Sequence, residues 1–137
     1  METEFAGYRE IEHTADWELQ VWAPDFPVLL ETAARGMYAL AHTTLRETAR
    51  TSRTFELSSR DRESLLVDFL SELLFLGEEE NLAFDEFRLS MDGNNLKAQV
   101  LGAPIREQVK EIKAVTYHRL QVRQTDTGLE VNIVFDV

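Results

Sequence analysis

Cysteine is absent from the 137 residues. That excludes disulfides, thiolate zinc sites, iron–sulfur clusters and a cysteine nucleophile. Proline occurs three times and glycine six, and no stretch is rich in Pro, Gly or Ser, so no linker divides the chain. One domain over 1–137 is expected. Positive charge is scarce: 14 Lys and Arg stand against 25 Asp and Glu, a net charge of −11. Such a surface repels phosphate, so direct binding to nucleic acid or to an anionic membrane is not expected. No run of about 18 apolar residues occurs. The opening Met1-Glu2-Thr3-Glu4 lacks the basic and apolar regions of a signal peptide. A soluble, intracellular protein, placed in the cytoplasm, is the expectation. A Walker A loop, a dinucleotide glycine motif, a His-Glu-x-x-His helix and an EF-hand loop are also missing.

What is present is pattern. Hydrophobic residues make up 44% of the chain, enough for a core despite the charge. Trp17, Leu19 and Val21 alternate with Glu18, Gln20 and Trp22, the period of a half-buried strand. Asp25 and Pro27 then open an amphipathic helix over about 25–42, with Asp25 as cap and Pro27 in the first turn. Thr54 to Leu57 reads as a short strand. Ser58 or Ser59 is the expected cap of a second helix over about 60–77, with Gly77 as its stop. Glu78-Glu79-Glu80 reads as a solvated loop. Two alternating runs around Asp92-Gly93-Asn94-Asn95 predict a hairpin. Residues 112–123 read as β-rich, and Leu129 to Val137 alternate to the last residue. The fold class is α+β: two helices packed on a mainly antiparallel sheet.

Three segments carry candidate chemistry. In the last strand the odd positions are apolar, so Asp136 faces away from the core, with the Val137 α-carboxylate beside it. Such a pair of carboxylates either extends into solvent or binds a hard cation. Glu12-His13-Thr14-Ala15-Asp16 precedes a strand; it suits a hydrogen-bonded turn, and its His, Thr and Asp match no established hydrolytic spacing. In Glu111 to His118, alternation puts Lys113, Val115 and Tyr117 on one face and Ala114, Thr116 and His118 on the other. A lone strand histidine is more often structural than a ligand. His42 reads as a cation in the last turn of the first helix. Phe84 and Phe87 read as packing residues, because no basic groove accompanies them.

Taken together, in this order and spacing, these segments resemble the archease family over about residues 8–137. Glu12-His13-Thr14-Ala15-Asp16 is similar to the family's acidic-His-Thr-Ala-Asp opening. Phe69-Leu70-Ser71-Glu72-Leu73-Leu74 is similar to its second helix. Lys113-Ala114-Val115-Thr116-Tyr117-His118 resembles its Lys-Ala-Val-Thr-Tyr-His strand, and Phe135-Asp136-Val137 its Phe-Asp-Ile ending. Two departures stand out. Trp17-Glu18 follows Asp16 where family members often have Gly, and the stretch from Gly102 to Lys110 lacks a histidine.

The resemblance implies an activating cofactor, not an enzyme. The partner would be an RtcB-type RNA ligase, which joins RNA ends in tRNA splicing and RNA repair using GTP and manganese. The cofactor would promote attachment of GMP to the ligase and its multiple turnover. The resemblance also implies a metal site on Asp16, Asp136 and Val137, with calcium the ion expected at such a site. Lys113 would make a polar contact at the functional tip, and His13 and His118 would stand in a second tier. All-oxygen ligands favour Ca²⁺, Mg²⁺ or Mn²⁺ over Zn²⁺. The competing readings are a small metal-dependent phosphohydrolase using the same carboxylates, and a chaperone or adaptor.

Overall fold

The structure is a computed structural model that describes residues 5–12 and 17–137. His13 and Asp16 lie outside the described residues. In chain order the elements are β1 (Gly7–Ile11), β2 (Trp17–Ala23), α1 (Phe26–Leu40), β3 (Thr44–Leu45), β4 (Thr51–Ser58) and α2 (Arg62–Glu80). There follow β5 (Leu82–Asp92), β6 (Asn95–Glu107), β7 (Ala114–Val115), β8 (Arg123–Thr125) and β9 (Gly128–Asp136). This is the expected α+β class, with two helices and two antiparallel sheets.

The first sheet runs β1-β2-β9-β7, with β8 also on β9. The second is centred on β6, which pairs with β5 along one edge and with β4 and β3 along the other. Both helices touch strands of both sheets. One core therefore serves the whole fold, with Leu29, Leu30, Phe69, Leu70, Val131 and Ile133 fully buried. Helix α1 approaches the first sheet closely at Gly36, where a Cβ would stand 2.5 Å from Leu19 Cδ2.

The cap of α1 is as expected: the Asp25 carboxylate accepts from the Val28 amide at 3.0 Å, with Pro27 in the first turn. The cap of α2 is not Ser58 or Ser59. Asp61 holds that position, accepting from the Ser64 amide at 2.7 Å, because β4 continues through Ser58. Gly77 does not stop the helix either. The chain stays helical through Glu78, Glu79 and Glu80 and ends at Asn81, whose φ of 57° gives the left-handed cap. Asn81 supplies the turn itself: its carbonyl accepts from Ile105 at 2.8 Å, which fixes the end to β6. The glutamate run is therefore the last helical turn. That position opposes the helix dipole, and Glu80 is offset by Arg53 at 2.7 Å.

The hairpin is present, but tighter than the tetrapeptide suggested: Asp92 pairs with Asn95, leaving Gly93 and Asn94 as the loop. Phe84 and Phe87 pack in the core. The stretch 112–123 is mostly not strand. Only Ala114–Val115 pairs there, β8 begins at Arg123, and residues 116–122 leave the sheet. Tyr117 and His118 therefore do not follow a strand alternation. His42 lies beyond α1 with φ 55°, exposed.

Candidate functional site at the end of strand β9

Strand β9 lies inside the first sheet. On one side Trp17 pairs with Phe135 and the register runs on to Ala23 opposite Leu129. On the other side Val115 pairs with Phe135 and Ala114 with Asp136. Both neighbours are thus in register with the last residues of β9. Leu129, Val131, Ile133 and Phe135 are buried as their alternation requires, and Asp136 is exposed. Val137 is half-buried against the core.

Main-chain bonds hold the segment after β6 against this strand end. The Lys113 amide donates to the Asp136 carbonyl at 2.7 Å, and the Thr116 amide to the Val134 carbonyl at 3.0 Å. Thr116 Oγ1 donates to that same carbonyl at 2.9 Å and accepts from the His118 amide at 3.3 Å. Thr116, His118, Val134, Phe135 and Asp136 line a shallow notch of about 290 Å³. The loop beyond is tied down where the Val122 amide donates to Glu63 Oε2 at 2.8 Å, which anchors it to the first turn of α2.

Lys110 joins the site from a second direction. Its Nζ stands 4.9 Å from the centre of the Trp17 ring, a cation–π contact. The amides of Val109 and Lys110 both donate to the Ala41 carbonyl, at 3.0 and 3.1 Å. The segment 109–113 therefore bridges the end of α1, the first residue of β2 and the last of β9.

A polar ladder crosses the first sheet. Arg9 donates to Gln20, and Gln20 to Glu130. Arg123 pairs with Glu130 at 3.4 Å and donates to Asn132 Oδ1 at 2.8 Å. Asn132 Nδ2 donates to Glu18 Oε2 at 2.8 Å, and Arg119 lies 4.0 Å from Glu18. Glu18 is thus a buried, paired carboxylate of the sheet rather than loose charge at the tip.

Lys113, Asp136, Val137 and His118 therefore fall at one end of the first sheet. Asp16 and His13 are outside the described residues, and among those described no three His, Asp or Glu side chains gather as a cation site. The donors at this end are carboxylate and carbonyl oxygens, a chemistry that fits a hard divalent cation. The Asp136 carbonyl accepts from the Lys113 amide, and its exposed carboxylate is the second oxygen donor of the residue. The sequence pattern places Thr116 with His118 in this segment but does not bring Lys110 to this end. A usable signal existed for Lys110: the chain has three lysines, and two are Lys110 and Lys113.

Among the described residues no helix is long and apolar enough to cross a membrane. The model of the Archease protein family (MTH1598/TM1083) matches residues 8–137. The chain is 35% identical over 148 residues to the protein archease of Methanosarcina barkeri, with all of both chains covered. It is 29% identical to that of Methanothermobacter thermautotrophicus, covering 96% of this chain and 99% of the other. The solution structure of Methanobacterium thermoautotrophicum protein 1598 superposes with a TM-score of 0.76 at 29% identity. That match covers 96% of this chain and 99% of that one.

Proposed function

The chain belongs to the archease family, and on that premise we propose that it is an activating cofactor of an RtcB-type RNA ligase in the cytoplasm. In this role it promotes attachment of GMP to the ligase and repeated turnover in tRNA splicing and RNA repair. It catalyses no reaction of its own. The observation that carries this reading is the family match from residue 8 to residue 137, which takes in every described strand and helix except the first residue of β1.

Asp16, Asp136 and the Val137 α-carboxylate are the proposed cation ligands. Trp17 opposite Phe135 supports this, because the chain enters β2 at the sheet end where Asp136 lies. A divalent ion there, Ca²⁺ or alternatively Mg²⁺ or Mn²⁺, would relieve the repulsion between carboxylates. Lys113 is exposed beside Asp136 and is the proposed contact to the ligase; His13 and His118 are secondary candidates. The acidic end suits the positive cleft that a phosphate-handling enzyme must present, so encounter should slow as salt rises.

The test is guanylylation of the purified cognate ligase by labelled GTP, with and without this protein. Faster formation of ligase–GMP and more than one ligation per ligase molecule are expected. An unchanged rate at saturating protein would sink the proposal. Turnover of phosphoester substrates without ligase would favour an enzyme instead.

A further inference from the structure

A groove of about 570 Å³ opens between α1, α2 and residues 105–114, a volume in the range of ligand and peptide sites. We propose that it docks an extended segment of the partner protein that carries a large apolar side chain next to a basic one. The proposal rests on the ligase-activator reading and names a second contact for the same partner.

The apolar half of the recognition comes from Leu74, Phe75 and Ile112 in the walls. Phe75 is 54% exposed on α2. A phenylalanine held in water on a helix next to a concave apolar wall is the kind of residue that protein interfaces bury. The basic half is called for by Glu78 and Glu111, both exposed and both lining the groove. Among the described residues neither has an ion-pair partner, whereas Glu80 of the same helix does. An arginine or lysine beside the apolar side chain would meet them.

Continuity favours the same partner over a small molecule. Lys113 and Ala114 form one wall of the groove, and the same two residues pair with Asp136. The groove and the strand end therefore share Lys113 and Ala114, and one protein can engage both.

The experiment measures binding and activation separately, using the full-length protein and purified cognate ligase. Phe75→Ala and Glu111→Lys change exposed side chains, so thermal melts should match wild type. Each is expected to raise Kd for the ligase about tenfold, while guanylylation at saturating protein returns to the wild-type rate. Asp136→Ala should do the opposite, losing activation at saturation. Variants that bind as tightly as wild type overturn the groove and leave the activator reading standing. Wild-type protein that does not bind the ligase overturns both. A small molecule retained by wild type in native mass spectra, and lost in Phe75→Ala, assigns the groove to a metabolite and also overturns the proposal.

Discussion

The main-chain amide of Lys113 donates to the carbonyl of Asp136 at 2.7 Å. The bond uses backbone atoms on both sides, so it survives replacement of either side chain. Lys113→Ala and Asp136→Ala should each leave stability within about 0.5 kcal/mol of wild type, as for exposed positions generally. Both should abolish ligase activation. Urea unfolding and ligase guanylylation, run on the same preparations, separate the two effects. An unfolded Asp136→Ala variant would show that the side chain holds the strand end.

Cation binding gives a direct test of the proposed ligands. Calcium titration by calorimetry should show one site, weakened at least about tenfold by Asp136→Asn, since one anionic oxygen ligand is neutralised. A glycine added after Val137 moves the α-carboxylate one residue along and should weaken binding as well. Equal affinity in all three proteins would remove Asp136 and Val137 from the ligand set.

Lys110 over Trp17 should contribute about 0.5–1 kcal/mol. Lys110→Ala is expected to lose that amount, and Lys110→Arg to keep it, in guanidinium unfolding monitored by tryptophan fluorescence. The emission of Trp17 should shift in the alanine variant alone. Identical spectra for both would mean that the cation is not on the ring.

Two glycines of the second sheet predict opposite sensitivities. A Cβ on Gly102 would overlap the Ala83 carbonyl oxygen, at the bulge where β5 slips past β6 between Phe84 and Glu86. Gly102→Ala should cost more than about 4 kcal/mol, or prevent folding. Gly93 has φ 62°, and a Cβ there would meet nothing within 4 Å, so Gly93→Ala should cost only about 1 kcal/mol. Thermal melts rank the two.

Asp61 sets a pH dependence. The Ser64 amide donates to its carboxylate and holds the pKa below the usual aspartate value. A depressed folded-state pKa means stability that is present above the unfolded value, about 3.9, and lost as pH falls through the folded value. Asp61→Ala should therefore be less stable than wild type at pH 7, and the gap should close below about pH 4. A gap that stays constant down to pH 2 would contradict the cap.

Much of this fold can be read in the chain. The alternation of Trp17 to Val21 and of Leu129 to Phe135 fixes two strands, because one face of each is buried and period two shows it directly. The helices are legible from Leu29, Ala33 and Met37 and from Leu66, Phe69 and Leu73. Their ends are less so. Gly77 looks like a stop, yet a glycine is also tolerated within a helix, and it was the bond from Ile105 to Asn81 that decided the boundary. The β-rich composition of 112–123 misleads for a related reason. Thr116 spends both its amide and its hydroxyl on one carbonyl of β9, which ends the pairing and turns the chain out. As for the candidate site, alternation put Asp136 on the outer side, and resemblance assembled the rest. Only contacts between distant residues reveal the bridging segment 109–113 and the groove beside it.

Strand β9 is interior to its sheet but is synthesised after every other described element. Until it emerges, the hairpin of β1 and β2 has a bare inner edge, and α1 lies on an incomplete layer. A two-stranded ribbon is marginal by itself, and an open edge invites pairing with another chain. The first sheet therefore cannot close on a growing chain before β9 has been made. Chains cut short before Gly128 should collect as aggregates or be cleared by proteases, and the acidic end appears only on molecules whose synthesis has run through it.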